Sequence, residues 1–122
     1  MKLFINESEE NYLETILVLS QKLPVVRSID IATELNYKKS SVSVAMKHLR
    51  EKNYILVSDA GFITLTGPGL EIAEKIYERH TLLTSWLEHL GVDSETAVQD
   101  ACRIEHVISP ESFDAIKKHI RQ

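Results

Sequence analysis

Cys102, Glu105 and His106 place a thiol, a carboxylate and an imidazole at i, i+3 and i+4, a spacing that sets all three on one face of a helix. His80 lies upstream and Glu14 lies near the start of the chain. Together the five side chains offer the sulfur, nitrogen and oxygen donors that divalent transition metals accept. Taken singly, each has an ordinary role: a cysteine is commonly a small buried hydrophobe, a histidine a core or surface residue, a glutamate a solvated helix residue. The joint pattern is what points to metal. An enzymatic alternative would use Cys102 as nucleophile and His106 or His80 as base. Four glycines in the whole chain leave no evident oxyanion loop or glycine-rich substrate loop for it, and no enzyme is expected. His48, His89 and His119 have no comparable partners by spacing, and Trp86 with Leu82, Leu83 and Leu87 reads as packing.

A second group of residues suits a different chemistry. Between positions 38 and 52 the cations Lys38, Lys39, Lys47, Arg50 and Lys52 face Glu51 as the one acid, in a chain whose net charge is −4. An acidic protein does not coat nucleic acid nonspecifically, yet a local basic stripe is enough to meet phosphate on one docking face. The plainer reading of such a run is a solvated helix face.

The elements that must carry both groups follow from caps and periodicity. Asn6 precedes the acidic Glu7-Ser8-Glu9, which suits a helix N-terminus. An apolar stripe of Tyr12, Leu13, Ile16, Leu17 and Val18 or Leu19 then predicts a first helix over Glu7 to Lys22, stopped by Pro24. Ser28 is the expected cap of a short second helix, Ile29 to Leu35, and Asn36-Tyr37 the turn after it. A third helix from about Ser40 to Glu51 would bury Val42, Ala45, Met46 and Leu49 and leave Ser41, Ser43, Lys47 and Arg50 outside. Tyr54-Ile55-Leu56-Val57 and Phe62-Ile63-Thr64-Leu65 flank Ser58-Asp59-Ala60-Gly61, the pattern of a β-hairpin.

A helix-turn-helix followed directly by a hairpin is the layout of a winged DNA reader. Lys38, Lys39, Ser40, Ser41, Ser43 and Lys47 are then the residues expected at the major groove. Serines bond bases or phosphates, and lysines act chiefly on phosphate or guanine.

Thr66 is the expected cap of a long helix beginning at Gly67-Pro68 and running through Leu90 to Gly91. Asp93 or Ser94 starts a fifth helix with the cysteine cluster, and Ser109-Pro110-Glu111 opens a sixth that ends near Ile120. Apolar surface on these three helices exceeds what the reader needs and predicts a helical dimerisation layer. The fold class is therefore mainly α with a small β-hairpin: a winged helix-turn-helix over residues 1–66, then an all-helical metal-binding and dimerisation domain over 67–122.

At 122 residues, with 43% hydrophobic and 26% charged side chains, the length suits one packed core or two small modules sharing helices. One compact, ordered unit is expected. No apolar run approaches the ~20 residues of a membrane span, and Leu3-Phe4-Ile5 is too short for a secretory signal core. A single cysteine forms no intrachain disulfide, which suits a reducing compartment. A cytoplasmic location is expected.

With these residues in view, the chain resembles the diphtheria-toxin-repressor family of metal-dependent transcriptional regulators, which has iron-responsive and manganese-responsive branches. The similarity runs through Glu10-Asn11-Tyr12-Leu13, the winged helix, Arg79-His80, Gly91-Val92-Asp93 and the block from Ala101 to Ser109, which is its most specific part. The resemblance implies a homodimer in which bound Fe²⁺ or Mn²⁺ enables binding to a palindromic double-stranded operator, usually to repress metal-uptake genes. It implies no membrane partner and no organic substrate. The chain is similar to the short members, without the SH3-like domain that longer members append.

Residue by residue, Cys102, Glu105 and His106 match the primary metal site of the iron branch; the manganese branch has a carboxylate in place of that cysteine. Glu14 and His80 match metal ligands of the manganese branch, and His80 also matches an ancillary ligand of the iron branch. Asn11 stands where the iron branch has methionine and the manganese branch aspartate, and its carbonyl is a neutral oxygen donor. Thr84 and Val98 replace the other ancillary carboxylate and imidazole, so that second site is not expected. A metal pair bridged through Glu14, His80 and Glu105 stays open.

Thiolate and imidazole favour Fe²⁺, Co²⁺, Ni²⁺ or Zn²⁺, while the oxygens suit Mn²⁺; Fe²⁺ or Mn²⁺ is the expected cofactor. The hairpin tip, Asp59-Ala60-Gly61, lacks the arginine that several relatives have, which shifts expected DNA affinity onto the third helix. Metal would clamp the reader to the dimer frame and set the spacing of two recognition helices. The alternative is a winged-helix regulator without metal control, its cluster vestigial or structural.

Overall fold

The computed structural model describes residues 6–121, and Leu3, Phe4 and Ile5 of the signal-core argument lie outside them. The element order is α1 (Glu7–Lys22), α2 (Ser28–Leu35), α3 (Lys39–Glu51), β1 (Ile55–Val57), β2 (Ile63–Leu65), α4 (Gly67–His89), α5 (Ser94–Val107) and α6 (Pro110–Ile120). Contacts gather into two compact units, 1–74 and 75–122. The boundary falls inside α4, so the single compact unit expected from the length is replaced by two. Among the described residues no helix is long and apolar enough to cross a membrane.

The first unit is a winged helix. Asn6 caps α1 through a reciprocal box: its side chain accepts the Glu9 N–H at 2.8 Å while Glu9 Oε1 accepts the Asn6 N–H at 3.3 Å. The apolar face of α1, with Leu13 and Ile16 fully buried, packs in one cluster with Ile31 of α2, Val42 and Leu49 of α3 and Ile55 of β1. Two asparagines, Asn36 after α2 and Asn53 after α3, take the left-handed backbone that ends each helix sharply. β1 and β2 pair antiparallel with Ile55 opposite Leu65 and Val57 opposite Ile63, and the Ile63 N–H also donates to the Val26 carbonyl at 2.8 Å. That bond fastens the hairpin to the segment before α2.

Four sequence-based expectations shift here. Ser28 lies inside α2 and Arg27 holds the N-cap, because Asp30 Oδ2 accepts the Arg27 N–H at 2.8 Å and closes the first turn from the other side. α3 begins one residue early, at Lys39. The strands are three residues each, leaving Tyr54 and Phe62 outside the ladder. Ala45 is half-buried, since the stripe facing the core is narrower, made of Val42, Met46 and Leu49. Thr66 does cap α4 as expected: its hydroxyl accepts the Gly69 N–H at 3.1 Å and donates to the Asn53 carbonyl at 2.8 Å.

The second unit is three helices. α4 ends at His89 rather than Leu90, and Gly91 follows with φ +102°, a conformation suited to glycine. Asp93 caps α5 by accepting the Thr96 N–H, and Ser109 caps α6 by accepting the Ser112 N–H, with Pro110 in the first turn. Leu83, Ala101 and Phe113, one from each helix, form the buried centre. Lys117 of α6 pairs with Glu78 of α4 at 2.7 Å.

Candidate functional site

The second unit brings three of the predicted donors together. His80 on α4 and Cys102 and Glu105 on α5 each offer one ligand atom, all within 4.8 Å of one another. His80 Nδ1 stands 3.3 Å from Glu105 Oε2, and His106 Nε2 stands 3.6 Å from Glu105 Oε1. Cys102, Glu105 and His106 all lie on α5, with Cys102 within reach of Glu105 and His80, and His106 beside Glu105. Cys102 is exposed, the His106 side chain is 7% exposed, and Glu105 is 0% exposed.

Glu105 gives the clearest evidence of fit to a cation. Both its carboxylate oxygens are buried and accept no hydrogen bond among the described residues. Buried carboxylate oxygens are normally satisfied, and leaving them bare is costly. With nitrogen, sulfur and oxygen donors in reach, the set suits a first-row divalent ion.

One residue that holds this arrangement was named in the sequence only as part of the resemblance and given no role. Arg79, next to His80 and 7% exposed, donates from one guanidinium nitrogen to the carbonyls of Glu105 and Ile108, each at 3.0 Å. Its guanidinium also lies over the Phe113 ring, 5.5 Å from the centroid. The cation thus satisfies carbonyls at the negative end of α5 and fixes the backbone of Glu105 against α4. A signal existed: Ile76, Arg79 and Leu83 share the inward period of α4, so an arginine stands where a core residue belongs.

Asn11 and Glu14 lie one turn apart on α1 in the first unit, Asn11 half-buried and Glu14 buried. Thr84 and Val98, the residues that the resemblance puts at the ancillary positions, lie on α4 and α5.

The residues expected at the DNA lie at the start of α3 and along its exposed side. Lys38, Lys39, Ser40, Ser41, Ser43 and Lys47 are all exposed at the N-cap and on the outer side of α3, opposite buried Val42, Met46 and Leu49. Lys52 leaves the basic stripe, because both carboxylate oxygens of Glu9 accept from its ammonium at 2.8 Å. The hairpin tip is indeed without a basic residue. A cation nonetheless reaches the tip end of the hairpin, where the Arg27 guanidinium lies 4.7 Å from the Phe62 ring centroid; stacking across sequence distance hid it.

A winged helix whose recognition face is basic, joined in one chain to a helical unit with an N/O/S cluster around a buried carboxylate, defines a metal-responsive, DNA-binding transcriptional regulator. Residues 5–61 match the family description "Iron dependent repressor, N-terminal DNA binding domain", and residues 66–122 match "Iron dependent repressor, metal binding and dimerisation domain". An uncharacterised HTH-type transcriptional regulator of Methanocaldococcus jannaschii is 35% identical over 115 residues, covering 93% of this chain and 92% of its own. The HTH-type transcriptional regulator MntR of Listeria welshimeri is 36% identical over 109 residues, covering 89% of this chain and 77% of its own. The solved structure of the manganese regulator SloR superposes with a TM-score of 0.82 at 24% identity over 98% of this chain, which spans 55% of that one. The chain belongs to the iron-dependent-repressor family of metal-dependent transcriptional regulators, a family of DNA-binding proteins and not of enzymes.

Proposed function

We propose that the protein is a cytoplasmic repressor of metal-uptake genes that binds a palindromic operator as a homodimer when loaded with Fe²⁺ or Mn²⁺. The observation that carries this reading is Glu105, a buried carboxylate bare of hydrogen bonds beside His80, Cys102 and His106. His80, Cys102, Glu105 and His106 would hold the metal, and Glu14 and Asn11 of α1 are the further donors of the proposed set. A bound cation would supply the positive charge that compensates the buried Glu105 carboxylate. Arg79 keeps the Glu105 backbone in place, and the α3 face with Lys38, Lys39, Ser40, Ser41, Ser43 and Lys47 enters the major groove.

The thiolate and imidazoles accept Fe²⁺ readily, and the carboxylates and the Asn11 carbonyl accept Mn²⁺, so availability in the cell decides between them. SloR, described as a manganese regulator, shares the fold. Zn²⁺, Co²⁺ and Ni²⁺ bind the same donors in vitro.

Duplexes selected from a random pool test the reading. The full chain retains a palindromic set when Mn²⁺ or anaerobic Fe²⁺ is present and releases it on chelation, and Cys102→Ala shifts the preference from Zn²⁺ and Fe²⁺ toward Mn²⁺. Equal retention with and without metal favours the rival regulator without metal control.

A further inference from the structure

The outward face of α3 carries one residue of the wrong polarity. Ser40, Ser43, Val44 and Lys47 fall at i, i+3, i+4 and i+7, a single helical stripe, and all four are exposed. Val44 is 54% exposed, whereas Val42 two residues earlier is 0% exposed in the core. Lone exposed apolar residues are common on protein surfaces. Val44 differs from the others in its setting, since serines and a lysine surround it on the face whose charge is complementary to DNA.

We propose that Val44 reads a thymine, its methyl groups packing on the thymine C5 methyl in the major groove and so fixing one base of the recognised sequence. This rests on α3 being the groove helix. The major groove presents that methyl at A·T pairs alone, and an apolar side chain is the matching partner. A β-branched side chain in a helix is nearly confined to one rotamer, so Val44 arrives positioned. Ser43 and Lys47 beside it supply polar contacts that orient the helix but do not distinguish thymine from uracil, which have the same hydrogen-bonding edge.

The experiment uses the full chain with Mn²⁺ and a duplex selected from a random pool, with each thymine replaced in turn by deoxyuridine. Removal of one methyl at the Val44 position weakens wild-type binding about fourfold, the worth of one buried methyl group. Val44→Ala weakens binding to the thymine duplex and is indifferent to uracil at that same position. A scan in which no replacement affects wild type more than Val44→Ala overturns the proposal. Lys47→Ala separates the underlying reading: if it weakens all duplexes alike while the uracil scan is flat, only the role of Val44 falls. If Lys47→Ala and Ser43→Ala bind as wild type does, α3 is not the groove helix and both fall.

Discussion

His80 Nδ1 lies 3.3 Å from Glu105 Oε2, so an imidazole from α4 meets a carboxylate of α5 that is wholly buried and accepts no hydrogen bond. Such a carboxylate is a liability to the metal-free fold and an asset once a cation compensates it. Replacing Glu105 with glutamine keeps the shape and removes the charge. The metal-free variant is expected to melt at or above the wild-type temperature. Mn²⁺ at a hundredfold excess over Kd adds about 2.7 kcal/mol to wild type, roughly a 10 °C rise, and leaves Glu105→Gln unmoved. Thermal melts with and without metal check this, and a lower metal-free melting temperature in the variant would mark Glu105 as a structural residue.

Arg79 is the brace of that site, and its removal strands two carbonyls. Arg79→Ala loses the bonds to Glu105 and Ile108 and the contact with Phe113, and is expected to cost about 3 kcal/mol of stability. Denaturant unfolding measures the cost. Arg79→Lys keeps the charge but lacks the planar fork, and falls between the two.

Gly69 is fixed by close approach and not by its dihedral angles. A Cβ there would collide with the Tyr54 carbonyl oxygen, whereas one on Gly67 meets nothing within 4 Å. Gly69→Ala is expected to lose about 1–3 kcal/mol through forced backbone displacement, and Gly67→Ala to stay within about 0.5 kcal/mol of wild type. The paired unfolding curves make the comparison.

Much of this was legible from local rules. Asn6, Asp93 and Ser109 announce three helix starts by side chains that cap their own backbone, and the three-residue spacing of Cys102 and Glu105 puts both within reach of one another on α5. What escaped depends on partners far along the chain. Arg79 bonds to carbonyls of Glu105 and Ile108, Lys52 is bonded by Glu9 of α1, and Arg27 stacks on Phe62; periodicity is blind to all three. The shift of the α2 cap from Ser28 to Arg27 has a local cause that a side-chain rule misses, since the bond runs from the Arg27 backbone to Asp30.

Acid stability has a marker at the start of α5. The Thr96 side chain, and after it the Thr96 backbone N–H, hold the Asp93 carboxyl below the ordinary carboxylate range. A lowered folded pKa means stability that is present above the unfolded value and is lost as pH falls through the folded one. Asp93→Asn, which keeps a cap without a titrating group, is expected to flatten that acid loss while leaving neutral pH nearly unchanged. Melts from pH 7 down to about pH 2 follow it across the range where an aspartate titrates; an unaltered acid slope would count against the role given to Asp93.

The central claim is that the cluster around Glu105 governs DNA binding. Fluorescence anisotropy of a selected duplex, titrated with wild type and with Glu105→Gln in the presence and absence of Mn²⁺, tests it most directly. Metal is predicted to tighten wild-type binding about 5–150-fold, the usual range of allosteric coupling, and to leave Glu105→Gln at the metal-free affinity. Equal affinities of wild type with and without metal, or an equal gain in both proteins, would contradict it.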